Sequence, residues 1–221
     1  MIAVVDYQKG NLKSVERGLQ AAGAQALITA DPAQIAQATC IVLPGVGAFA
    51  DAAATMEELG QMQVIRDRVR AGVPFLGICL GMHLLFEEGV EGVVGGMNPK
   101  GLGLIRGCVG ELPRIDAAGV HYKIPHVGWN TVDYVQDEAG QVAPGAQALF
   151  AGIPNHEHFY FTHSFAAPNS AATIATTTHS NTFPCAVQFE ECAFGVQFHP
   201  EKSSDAGMAL LKNFVALAKE A

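Results

Sequence analysis

Five cysteines and eight histidines are the residues of this chain best suited to covalent and proton-transfer chemistry, and one cysteine is set apart by its neighbours. Cys79 lies in Gly77-Ile78-Cys79-Leu80-Gly81-Met82. Residues 73–78 are a short apolar run entered through Pro74 and read as a buried strand, while residues 80–88 carry Leu80, Leu84 and Leu85 at helical spacing. Cys79 therefore falls on a strand-to-helix turn. Glycine two residues before it and two after lets the backbone bend sharply enough to expose one side chain at the top of a sheet, a nucleophile elbow with Cys in place of Ser. At a helix N-terminus the macrodipole favours the thiolate, which is the attacking species, and the Leu80 amide points where an oxyanion would form. The bland alternative is a small buried cysteine between two packing glycines.

A thiolate nucleophile needs a base that holds its proton and returns it to the leaving group, and histidine does this best near neutral pH. His199 is the candidate, because Phe194-Gly195-Val196-Gln197-Phe198 reads as a strand that delivers it to a strand end. Pro200 fixes the following turn so that Glu201 can fold back and orient the imidazole, the third role of a triad. Pro44-Gly45-Val46-Gly47 follows another strand and precedes a helix, so its amides are free to supply a second oxyanion donor. With Ala50 it also satisfies G-x-G-x-x-A, the dinucleotide fingerprint. That rival is weakened because the motif follows the third strand and no acid ends the next one. His156 and His158 are spaced to share a strand face, yet no third ligand lies near them, so no metal or other cofactor is expected. Trp129 suits either core packing or an interface anchor.

The elements that position these residues follow from periodicity. Residues 2–6, 26–29 and 40–43 read as strands. Between them lie a helix opening at Asn11 and closing at Gly23, and one opening at Asp31-Pro32. Helices over 48–59 and 61–71 precede the elbow strand. A glycine-rich loop follows Glu88, then β-like pieces over 108–112, 129–135, 158–165, 173–178, 185–190 and 194–198. Ser203 or Ser204 caps a closing helix with Leu210, Leu211, Phe214, Leu217 and Ala218 inward. The pattern predicts an α/β fold: a central, mostly parallel but mixed sheet flanked by helices, in a single domain over 1–221. A net charge of −8 argues against nucleic-acid or anionic-membrane partners, and no apolar run is long enough for a membrane span. An odd number of cysteines without a C-x-x-C pair suits free thiols in a reducing cytoplasm.

The elbow together with Gly195-Val196-Gln197-Phe198-His199-Pro200-Glu201 resembles the class I, triad-type glutamine amidotransferases. Three further blocks extend the resemblance over essentially the whole chain to the glutaminase subunits of imidazole glycerol phosphate synthases: Pro44 to Phe49, Pro125-His126-Val127-Gly128-Trp129-Asn130, and Tyr160-Phe161-Thr162-His163-Ser164-Phe165. The resemblance implies that Cys79 attacks the side-chain amide of glutamine, His199 protonates departing ammonia and Glu201 orients His199. It implies an oxyanion hole at Gly45, Val46 and Leu80, with a backbone rearrangement there when a partner engages. Gly47, His83, His163, Ser164 and Phe165 would line the glutamine site. The implied partner is a (β/α)8-barrel cyclase that uses the ammonia to make imidazole glycerol phosphate and aminoimidazole carboxamide ribotide in histidine biosynthesis. Asn11, His126, Trp129 and Lys202 match positions at or near that heterodimer interface. Three residues depart from the family pattern: His83 for the usual Gln, Phe165 for a common Tyr, and Gln8 for the Gly usual after Asp6-Tyr7. A catalytically inactive docking subunit and a thiol hydrolase of similar architecture are the alternatives.

Overall fold

A computed structural model describes residues 1–93 and 95–220. The chain opens as βα units: β1 (Ile2–Val5), α1 (Leu12–Ala21), β2 (Ala26–Thr29), α2 (Pro32–Gln37), β3 (Cys40–Gly45), α3 (Phe49–Glu58), α4 (Gln61–Arg70) and β4 (Phe75–Cys79). The elbow helix α5 (Leu80–His83) leads to β5 (Phe86–Gly89), β6 (Ile105–Glu111), β7 (His126–Tyr134) and α6 (Pro144–Leu149). Strands β8 (Glu157–His163), β9 (Phe165–Ala166), β10 (Thr173–Thr178), β11 (Thr182–Phe189) and β12 (Ala193–Val196) follow. A 3-10 turn (Pro200–Lys202) and α7 (Ser204–Glu220) end the chain.

The main sheet has the order β2-β1-β3-β4-β12-β11-β10-β7-β8. Neighbours from β2 through β12 pair in parallel, and those from β12 through β8 pair antiparallel, so the sheet is mixed as expected. Period-two burial on β1 shows how helices cover both faces: Ile2 and Val4 join a core with Val15, Leu19, Leu210 and Phe214, while Ala3 and Val5 join one with Ile35, Met56 and Ile65. Helices α1 and α7 therefore cover one face, and α2, α3 and α4 the other. The expected caps hold in part. Asp31 accepts from Ala33 N at 2.9 Å with Pro32 at the first helical position, whereas Asn11 makes no side-chain cap. Ser203 hydrogen-bonds elsewhere, as described below.

Two expectations are corrected, and one helix lies outside them. The helix after the elbow stops after one turn instead of running to residue 88, because β5 gains parallel pairing with β6 and buries Phe86 and Gly89. The strand expected over 158–165 is broken at Ser164, where the chain leaves the main sheet and β9 joins β5 and β6 in a small second sheet. Helix α6 was not anticipated, since its six residues leave too short a periodic pattern. The glycine-rich loop between β5 and β6 carries no regular helix or strand among its described residues, and Val94 lies outside them. No described helix is long and apolar enough to cross a membrane.

Candidate active site

Parallel pairing gathers the expected residues at one edge of the sheet. Gly45 at the end of β3 is in register with Cys79, and Ile78 with Val196 on the other side. The segments that follow these strand ends, one carrying Val46 and the other His199, thus flank the elbow. Cys79 has φ +54°, a strained conformation for a residue with a side chain, at a cost of about 1–3 kcal/mol. Its two glycines are required by close approach: a Cβ on Gly77 would strike the Gly81 carbonyl, and one on Gly81 the Leu43 carbonyl. Because α5 has only four residues, the dipole contribution expected for the thiolate is small.

His199 and Glu201 are enclosed, with side chains 3% and 2% exposed, and His199 Nδ1 donates to Glu201 Oε1 at 2.9 Å. Nε2 is buried without a hydrogen-bond partner, leaving it as the nitrogen for exchange with sulfur. The backbone of His199 is clamped to β8. Its N–H donates to Tyr160 O at 2.9 Å, and Ser203 Oγ donates to His199 O at 2.7 Å while accepting from Tyr160 N at 3.0 Å. Burial pushes the His199 pKa down, but the Cys79 sulfur and the Glu201 carboxylate outweigh it and raise the value to about 9. Sγ is not hydrogen-bonded to Nε2 in this conformation; it is directed at Thr162 O, 3.9 Å away.

A cleft of about 420 Å³ opens beside Cys79. It is lined by the expected Val46, Leu80, Gly47, His83, His163, Ser164 and Phe165, and also by Ala48, Thr162 and Glu91, which the sequence did not single out. Gly45 sits behind this wall, against the buried Tyr7 hydroxyl; a Cβ on Gly45 would lie 2.6 Å from that oxygen. Burial raises the Tyr7 pKa and Cys79 adds to the rise, while the Val46 amide acts against them. The Tyr7 hydroxyl itself is buried without a hydrogen-bond partner. Glu91 Oε2 accepts from Phe49 N at 2.8 Å, which puts a carboxylate at the N-terminus of α3. A pyrophosphate at the Gly45-x-Gly47-x-x-Ala50 turn would need that same helix end, so Glu91 opposes the dinucleotide reading.

The second wall is held by imidazoles. His163 Nδ1 donates to Phe165 O at 2.8 Å, so its Nε2 accepts from His126 Nδ1 at 3.0 Å, and Asn130 Nδ2 donates to His126 Nε2 at 3.3 Å. Burial lowers His163 to about 3 and His126 to about 4, which keeps both neutral. His126 is therefore buried in the isolated chain, where it braces His163. Asn11, Trp129 and Lys202 are exposed; Trp129 meets Tyr160 edge to face, and Lys202 Nζ lies 5.9 Å above the same ring. His156 precedes β8 at φ +65° and turns Nδ1 to Asp133 Oδ1, so it does not share a strand face with His158. Among the described residues no group of three His, Cys, Asp or Glu side chains is placed to hold a metal.

A strand-end cysteine beside a buried His–Glu pair, on a mixed sheet covered by helices, matches what whole-chain comparison returns. The chain belongs to the class-I glutamine amidotransferase family, whose model matches residues 3–218. Its similarity reaches further, to curated relatives called imidazole glycerol phosphate synthase subunit HisH. It is 43% identical over 222 residues to that of Moorella thermoacetica, covering 100% of this chain and 96% of the relative. To that of Geobacillus kaustophilus it is 39% identical over 220 residues, covering 99% and 97%. A solved glutamine amidotransferase superposes with TM-score 0.70 at 18% identity, covering 99% of this chain and 100% of that one. The glutaminase domain of Trypanosoma brucei CTPS with bound acivicin does so with TM-score 0.64 at 16% identity, covering 99% and 93%. At those identities the likeness is one of fold.

Proposed function

We propose that this chain is the glutaminase subunit of an imidazole glycerol phosphate synthase, a single amidotransferase domain that releases ammonia from L-glutamine for a (β/α)8-barrel cyclase in the cytoplasm. The observation that carries the reading is the convergence of Cys79 with a buried His199–Glu201 pair at adjacent parallel strand ends. Full-length similarity to the HisH relatives supplies the substrate and the pathway, histidine biosynthesis. The Cys79 thiolate attacks the carboxamide carbon, and the carbonyl electrons move to oxygen. Leu80 N–H and the Gly45–Val46 segment stabilise that oxyanion. As the tetrahedral intermediate collapses, the C–N bond breaks and His199 Nε2 gives its proton to the leaving ammonia, leaving a thioester on Cys79. Water then attacks the thioester as His199 takes its proton, and glutamate departs with the thiol restored. Glu201 holds the imidazole by Nδ1 and balances its charge throughout.

Glu91 fits the α-ammonium of glutamine, being a partly buried carboxylate within the same cleft. The Cys79 sulfur turned toward Thr162 O, with His199 Nε2 left without a partner, supports an idle state in the isolated subunit, relieved when the cyclase docks on the exposed Asn11, Trp129 and Lys202 region. Coupling of this kind has a chemical reason: ammonia released into water at neutral pH is mostly protonated and loses its nucleophilic lone pair. The test is a glutaminase assay with and without the cyclase. Wild type should turn over glutamine only in the complex, and Cys79→Ala should lose turnover while still folding and binding. Activity retained by Cys79→Ala refutes the nucleophile; equal turnover with and without cyclase refutes the gating.

A further inference from the structure

Gln197 lies between β12 and His199, and its side chain is wholly enclosed. Its carboxamide is engaged at both ends. Oε1 accepts from His83 Nε2 at 2.6 Å, and Nε2 donates to Cys79 Sγ at 3.7 Å. The link is directional: a carboxamide that turns its N–H toward sulfur must turn its carbonyl toward His83, which then carries its ring proton on Nε2.

The sulfur needs such a donor. The one-turn elbow helix offers little dipole, and Thr162 O, 3.9 Å away, is an acceptor that disfavours a thiolate. Among the described residues, the Gln197 carboxamide is the side chain that donates a hydrogen bond to Sγ. We propose that Gln197 is a catalytic residue, donating its N–H to the Cys79 thiolate, and that His83 is the positioning residue that keeps the carboxamide turned that way. The inference rests on the glutaminase reading of the site. His83 is itself buried, and burial pushes its pKa down to about 4 against the opposing pull of the Gln197 bond. At neutral pH it is therefore an uncharged ring with a single fixed proton. A donor at position 83 suffices for this role, so the glutamine usual there in the family would serve equally well, and a hydrocarbon would free the amide to rotate.

The experiment measures Cys79 alkylation by iodoacetamide from pH 6 to 10, followed by peptide mass mapping to separate it from the other four thiols, in the wild type and three variants. Gln197→Met removes both polar ends at similar volume. His83→Leu removes the anchor, and His83→Gln keeps a donor. Each variant is also assayed for glutamine turnover in complex with the cyclase. Gln197→Met should alkylate about tenfold more slowly at pH 7, with the profile displaced toward higher pH and kcat falling in parallel while KM stays within about twofold. His83→Leu should displace the profile in the same direction, and His83→Gln should follow the wild-type profile. A Gln197→Met profile that coincides with wild type, or equal displacement by His83→Gln and His83→Leu, overturns the inference. If Gln197→Met does not fold, the two His83 variants decide. A wild type that never hydrolyses glutamine beside the cyclase sinks the glutaminase reading instead, because the alkylation profiles test the sulfur contact independently.

Discussion

The charge of Glu201 can be removed without altering its shape. In Glu201→Gln the side-chain carbonyl still accepts from His199 Nδ1, now 2.9 Å from Oε1, so ring orientation is kept and only electrostatics change. In the native site burial opposes the imidazolium, and two groups, Cys79 and Glu201, raise the His199 pKa from 6.5 to about 9. That rise corresponds to roughly 3 kcal/mol in favour of the protonated ring. Loss of one of the two groups, with burial undiminished, should forfeit on the order of 2–3 kcal/mol. If the imidazolium is the acid that releases ammonia, kcat falls roughly 30- to 150-fold. The sign of the pH effect is also set. Activity that needs the protonated ring is lost as pH rises through its pKa, so the alkaline limb near pH 9 should move to lower pH in the variant. Steady-state glutaminase assays of the cyclase complex from pH 6 to 10 measure both effects. A variant within threefold of wild type, with its alkaline limb in place, would refute the electrostatic role of Glu201.

Other expectations follow from single residues. Glu91→Gln keeps an acceptor for Phe49 N but removes the cleft's negative charge, so KM for glutamine should rise about tenfold or more with kcat nearly unchanged; an unchanged KM removes Glu91 from the substrate site. Gln8 occupies φ +67°, which accounts for the glycine usual there in the family, and Gln8→Gly should raise stability by roughly 0.5–1 kcal/mol and the thermal midpoint by about 1–3 °C. A lower midpoint contradicts that account. Burial depresses His83 and His126 to about 4 and His163 to about 3. Their contribution is intact above the unfolded value near 6.5 and is lost as pH falls toward 4 and then 3, because the unfolded chain binds more protons in that window. His199 acts oppositely, its contribution being intact below 6.5 and lost as pH rises to about 9. Urea midpoints should therefore drop steadily from pH 6.5 to 4; a flat profile there denies the buried neutral imidazoles.

Much of the fold was legible because short apolar strands and glycine or proline punctuation coincide with real boundaries. Residues 26–29 and 173–178 match β2 and β10 in both ends. What failed were places where tertiary pairing overrode local pattern. Leu80, Leu84 and Leu85 carry a helical spacing, yet from Phe86 onward the chain pairs with β6 and ends the helix. The break at Ser164 is equally invisible locally, since the run from His158 to Phe165 is uniformly β-prone and only the second sheet gives Phe165 a partner.

For the site, the division runs along sequence distance. Cys79 with its glycines, and His199 with Glu201, are local signatures whose chemistry is carried within a few residues. Their meeting is a consequence of topology: β3, β4 and β12 are adjacent and parallel, so the segments that follow them emerge on one edge. Glu91 comes from a loop without periodicity, and no local signal pointed to the cleft. Gln197 did carry one, a polar residue inside an apolar strand run, where an uncompensated amide would be costly. Such a residue states that a partner exists without saying which. Its partners, His83 at a separation of 114 and Cys79 at 118, are supplied only by the packing of the elbow against β12. A substitution at 83 therefore acts on the sulfur through Gln197, and departures from family pattern in the elbow helix are best judged by what they offer that carboxamide.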